Sequence, residues 1–142
     1  MGWNRFDKGF RVTLPDGWED RSVYTFMGPV EAGETPMINV LVDDAPGVDD
    51  VTEYGELQLG ALLDTMPDAE LLLEETTKLK KGREVFQVVL NWAPVEGKVI
   101  FIKNIYMLHE GRGITFAGRF SKQGYKVLGR LVNTVSDGFE FR

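Results

Sequence analysis

Residues able to do chemistry are few in this chain, and most come as neighbours. Glu19 and Asp20 follow Trp18 in the stretch LPDGWEDRSVYTF, residues 14–26. A pair of carboxylates can share general-acid and general-base work when their environments push their pKa values apart. Consecutive residues of an extended chain point to opposite sides, so Glu19 and Asp20 are poorly placed to act as such a pair. Asp20, two residues before Ser22, reads better as a hydrogen-bonding partner in a turn, and Trp18 as a large side chain plugging the end of the core. The sole histidine, His109, lies in LHEGRG beside Glu110, with no nucleophile near it in the sequence. A triad or an imidazole metal site there would need partners brought in by the fold. Asp43-Asp44 and Asp49-Asp50 offer hard oxygen ligands, but their spacing is not that of a calcium loop, and a solvated loop ending in a helix N-cap is the plainer role. GRGITF, residues 111–116, has two glycines of a dinucleotide fingerprint without the rest and reads as a hairpin. No catalytic set, metal or cofactor is expected, so the chain is not expected to be an enzyme.

Composition narrows the class further. A length of 142 residues fits one domain spanning 1–142, and 43% hydrophobic residues can supply its core. No apolar run is long enough to cross a membrane, and the start, MGWNRFDKGF, lacks the apolar region of a signal peptide. Together with the absence of cysteine, this points to the cytoplasm and against stable membrane insertion. A net charge of −6 argues against nucleic acid as partner. The charge is also uneven: residues 1–77 carry 17 acidic and 4 basic side chains, residues 78–142 carry 5 and 12. Such asymmetry either solvates two faces of one domain or supports subunit pairing or a charged client.

The elements that must position these residues follow from periodicity. Phe10, Val12 and Leu14 alternate with polar residues and predict a strand ending at Pro15, with Asp16-Gly17 as the turn. Strands are predicted over Ser22–Phe26 and Met37–Val42, and a helix over Val51–Met66, begun by Asp50 and Glu53 as a capping box and stopped by Pro67. Strands follow over Glu70–Thr77, Val85–Trp92, Val99–Leu108 and Ile114–Phe120, with turns at 80–83 and 109–113. Tyr125, Leu128, Val132 and Val135 mark a second helix over Lys122–Asp137. The expectation is an α/β fold of the α+β kind: a mainly antiparallel sheet of about six strands and two main helices. Two helices cannot cover both faces of such a sheet, so one face should be partly open or covered by a partner.

FRVTLPDGWEDRSVYTF resembles the N-terminal signature of the DcrB-like domain family, within the PsbP-like fold group. It is similar to the cytoplasmic Eag-type chaperones of type VI secretion, which share a Pro-Asp-x-Trp-x-Asp-x-Ser strand–turn–strand, here Pro15, Trp18, Asp20 and Ser22. The likeness extends through INVLVDDA (38–45), the helix YGELQLGALLDTMP (54–67), the strand ending in Trp92 and the C-terminal helix. It implies an antiparallel sheet sandwiched by helices and a homodimer. It also implies a client, a secreted effector of PAAR or Rhs type whose hydrophobic N-terminal transmembrane helices are shielded until it is loaded on the VgrG spike. Carried over by position, client contacts fall on Val23, Thr25, Val40, Gln58, Met66 and Asn104. Val23, Val40 and Met66 would offer apolar contact, or be ordinary core; Gln58 and Asn104 would satisfy polar groups of the client. The competing reading is a PsbP-like accessory protein that binds a folded partner without catalysis.

Overall fold

The structure, a computed structural model, describes residues 13–31 and 33–141. Strand β1 (Val23–Met27) is followed by β2 (Met37–Asp43), helix α1 (Val51–Thr65), β3 (Glu70–Lys78), β4 (Glu84–Val95), β5 (Lys98–His109) and β6 (Arg112–Phe120), then helices α2 (Lys122–Leu128) and α3 (Arg130–Asp137). All six strands join one sheet in the order β1-β2-β6-β5-β4-β3, and every pairing is antiparallel.

Local chemistry explains most boundaries. Asp50 caps α1 by accepting from the Glu53 N–H at 2.9 Å. The β5–β6 hairpin turns through Glu110 and Gly111, both at positive φ, which suits the twist of a two-residue connection. The long C-terminal helix anticipated from its stripe is interrupted at Gly129, although Gly129 keeps helical dihedrals and still donates to Tyr125 at 2.9 Å. Past it the Val132 N–H donates to the Gly129 carbonyl at 3.3 Å, and Leu128 and Val132, on either side of the break, are buried in the same cluster. Of the strand anticipated at Phe10–Leu14, residues 10–12 lie outside the described residues, and 13–14 are not in a strand.

Strand alternation sends the core to both faces. On one face Val40, Ile105, Ile114 and Phe116 pack with Leu128 and Val132 of α2 and α3. On the other, Phe86, Val88, Leu90, Ile102 and Tyr106 pack with Val51, Tyr54, Leu59 and Met66 around α1. Two glycines let α1 sit down: a Cβ on Gly55 would strike the Phe86 ring, and one on Gly113 would strike Tyr54. The connection between β1 and β2 reaches to the far face. There Glu34 accepts the Ser121 N–H at 2.9 Å, and Ser121 itself caps α2. The Glu34 carboxylate lies where a Gly124 side chain would be.

Trp18 corrects the sequence reading, for it is 69% exposed. Pro15 to Trp18 form a turn, closed by the Trp18 N–H on the Pro15 carbonyl at 3.2 Å with Gly17 at φ 85°, and this turn carries the indole outward rather than into the core. Asp20 does what a turn aspartate should, accepting from the Ser22 N–H at 2.9 Å.

Candidate functional site

Helix α1 lies over β4 and β5 and leaves the β1–β2 part of its own face uncovered by any helix among the described residues. The cross-strand registers show what is exposed there. Val23 pairs with Leu41, Thr25 with Asn39 and Met27 with Met37; Leu41 continues to Thr115 and Asn39 to Ala117 on β6. Val23, Met27, Met37 and Leu41 are 50%, 63%, 40% and 38% exposed, and together they form an apolar floor. Scattered exposed apolar residues need no explanation, but these four form two cross-strand pairs on one face, one on each side of the Thr25–Asn39 pair.

A polar row crosses this floor at mid-height. The Thr25 hydroxyl donates to Asn39 Oδ1 at 2.7 Å. The row runs on through Ala117, whose small side chain leaves room above it, to Asn104. Asn104 is 6% exposed and donates through Nδ2 to the Tyr106 hydroxyl at 2.9 Å, while its Oδ1 is buried without a partner among the described residues. An acceptor left so costs about 1–3 kcal/mol, and this one is enclosed within the sheet face and not open at its surface.

The wall beside the floor is α1, through Tyr54 and Gln58. At one end the floor runs under residues 14–22 into a cleft of about 850 Å³. Leu41, Thr115, Tyr54 and Gln58 line it from below, Leu14, Pro15 and Trp18 from above. Asp16, Glu19, Asp20, Asp43 and Asp44 also line it, with Arg21 as the one basic residue among the described residues. Arg21 holds Glu19 at 2.8 Å, and Asp43 accepts the Ala45 N–H at 3.0 Å. Burial, then the charge of Asp43, pushes the Tyr54 hydroxyl up to about 12, against the opposing effect of its hydrogen bond with Thr115. Burial likewise raises the Tyr106 hydroxyl. Both phenols therefore stay protonated donors at neutral pH.

The structure thus brings Val23, Thr25 and Gln58 to one open surface; Asn104 shares their face but is buried on β5. Val40 and Met66 do not reach it. Val40 pairs with Tyr24 and Phe116, on the face opposite to Val23, and is 1% exposed. Met66, 3% exposed, is buried where α1 ends. Both are core residues, because strand alternation and the docking of α1 direct them inward. Leu41, Asn39, Met27, Met37 and Ala117 were missed. They alternate correctly in the sequence, but only the register shows that they share a face with Val23. His109 is engaged elsewhere, stacked on Phe141 with centroids 5.6 Å apart. No group of three or more metal-ligating side chains occurs among the described residues.

No protein-family model and no curated protein sequence matches the chain. Solved structures do. A Pseudomonas aeruginosa protein of unknown function, PA94, superposes with a TM-score of 0.73 at 14% identity, covering 95% of this chain and 93% of that one. The cyanobacterial PsbP protein of Synechocystis sp. PCC 6803, CyanoP, gives 0.53 at 12%, covering 92% and 98%. The fold is PsbP-like. LpqN of Mycobacterium tuberculosis, involved in cell envelope biogenesis, gives 0.53 at 12%, covering 85% and 84%. At such identities the PsbP-like likeness carries architecture and no activity.

Proposed function

We propose that this PsbP-like chain is a non-catalytic chaperone or adaptor that shields apolar helical segments of a partner. Its client would be a secreted effector of PAAR or Rhs type with hydrophobic N-terminal transmembrane helices, held in the cytoplasm before loading on the VgrG spike, and its working form a homodimer. The observation that carries this reading is the uncovered part of one sheet face: an apolar floor bounded by α1 and crossed by a polar row. A transmembrane segment exposes about 20 apolar residues and needs a comparable apolar surface to stay in water. Covering such surface contributes about 25 cal/mol per Å², so binding can proceed without ATP. Val23, Leu41, Met27 and Met37 supply area; Met27 and Met37 adapt to irregular clients. Gln58 and Thr25 supply hydrogen bonds that a polar residue within an apolar helix would otherwise lack.

The test is co-expression with an effector N-terminus followed by pull-down and circular dichroism. Val23→Asp and Gln58→Ala should both remain folded, since neither residue is in the core, and both should retain less client, Val23→Asp by at least about tenfold. Full retention by both folded variants would remove the groove from client binding and leave the accessory-protein reading.

A further inference from the structure

Strand β3 ends the sheet on the side away from the open floor, and no further strand pairs with it among the described residues. Every residue from Glu70 to Lys78 is exposed except Thr77, which is half-buried. The outward N–H and C=O groups of such an edge are a template for another strand. Its first part is spoiled for pairing, because the register with β4 shifts between Leu71 and Leu73 and leaves Leu72 as the extra residue of a bulge. From Leu73, opposite Val89, to Lys78, opposite Glu84, the ladder is regular. This run carries three charges. Glu75 is held by Gln87, whose Nε2 donates to it at 2.6 Å. Glu74 and Lys78 are in no ion pair among the described residues. They share the α1 side of the sheet with Thr76, whose hydroxyl meets that of Thr52 on α1 at 2.6 Å. Charges on an edge repel most strands, and here they leave room for one, a second copy of β3. Two copies joined edge to edge and antiparallel are related by a two-fold axis normal to the sheet. Opposed residues then lie on the same side, so the axis passes through a residue and not between two. With Glu74 or Glu75 on the axis, that glutamate faces its own copy. With Leu73 there, the bulge enters the ladder, and with Thr77 there, Glu74 lies opposite Lys80, beyond the strand. With Thr76 on the axis, Glu74 faces the partner's Lys78, Lys78 the partner's Glu74, and Glu75 the partner's Thr77. That register has two opposite-charge pairs, a central threonine pair and no like-charge pair.

We propose that the chain dimerises through β3, two copies pairing antiparallel about Thr76 with Glu74 of each against Lys78 of the other. This rests on the homodimer of the reading above, to which it gives an interface, and not on what the open floor binds. The backbone ladder supplies affinity, and the two charge pairs choose the register. The sheet becomes continuous across the two copies, with both α1 helices on one side of it. The two β1–β2 floors then stand toward its opposite ends, so each copy holds a client helix of its own.

The experiment is sedimentation of the full chain and its variants, with circular dichroism to confirm folding. A ladder this short is a small interface, so the dimer should form at about 10–100 µM. Glu74→Lys alone and Lys78→Glu alone should each weaken self-association by at least about tenfold, since each turns both attractive pairs into repulsive ones. An equimolar mixture of the two variants should recover dimers, because every pair between unlike variants is again of opposite charge. The chain has no cysteine, which allows a second measurement. Thr76→Cys should form a disulfide-linked dimer on mild oxidation, as opposed Cα atoms of an antiparallel pair lie about 4.5–5.5 Å apart. Glu74→Cys should not, because its copy would lie about 13 Å away along the strand. Single variants as dimeric as the parent chain, no recovery on mixing, or equal crosslinking by both cysteine variants would overturn this interface and leave a homodimer built elsewhere. A parent chain that stays monomeric to about 500 µM would overturn interface and homodimer together and leave client binding to its own pull-down.

Discussion

One sheet face carries two surfaces built to the same alternation. Over β4 and β5 it shows Phe86, Leu90, Ile102 and Tyr106, all 3% exposed or less; over β1 and β2 it shows Val23, Leu41, Met27 and Met37, all 38% exposed or more. Neither is more apolar in kind. One lies under α1 and the other does not, and α1 is held in place by two glycines whose missing side chains make room for Phe86 and Tyr54. Whether a row of apolar residues becomes core or exposed surface is decided here by what is docked above it.

The sharpest way to break that comparison uses one residue type in both places. Leu90→Ala, in the covered part, should lower stability by about 2–5 kcal/mol, whereas Leu41→Ala, in the open part, should cost less than about 1 kcal/mol. Denaturant unfolding of the two variants checks this, and equal losses would mean that the open part is covered in solution.

A smaller effect tests the seam between the parts, where Tyr54 meets Thr115. An unfolded tyrosine releases its proton near pH 10, and folded Tyr54 keeps its proton to about 12. In that window the native state binds more protons than the unfolded state, so stability falls as pH rises through it. Tyr54→Phe should remove about 2 kcal/mol of that alkaline loss, with Tyr106, raised in the same direction, accounting for a remainder. Urea titrations at pH 9.5 and 11.5 measure the difference. Burial holds the Lys103 pKa below its usual value, so its effect has the opposite sign, stability rising with pH toward its unfolded value of 10.5.

The smallest effect belongs to Trp18. Trp18→Ala should shift stability by less than about 0.5 kcal/mol, as exposed positions do. A large drop in melting temperature would return the indole to the core.

Much of the fold was legible because its signals are local. The Asp50–Glu53 cap, the Pro-Asp-Gly turn, the dense Val/Ile runs of β4 and β5 and the tight turns between strands each act over a few residues. The order β1-β2-β6-β5-β4-β3 is not local, and the site depends on it. Val23 and Val40 look equivalent in the sequence, two valines in neighbouring strands. Only the pairing of Val40 with Tyr24 puts them on opposite sides of the sheet. Thr25 and Asn104 lie 79 residues apart in the chain and enter one polar row only through β2 and β6. Gln58 was singled out only through the family resemblance; its own sequence context reads equally well as a solvated face of α1.

Glu34 has a mechanical consequence. By gripping the start of α2 it fastens the β1–β2 connection to the opposite side of the sheet, so the outer hairpin is clamped at its closed end as well as along its ladder. Edge strands ordinarily fray first, and their amide hydrogens exchange fastest. Here fraying must start from the Val23 end, beside the cleft, because the Met27 end is anchored through Ser121. The open floor therefore behaves as a cantilever: stiff near Met27 and Met37, compliant near Val23 and Leu41.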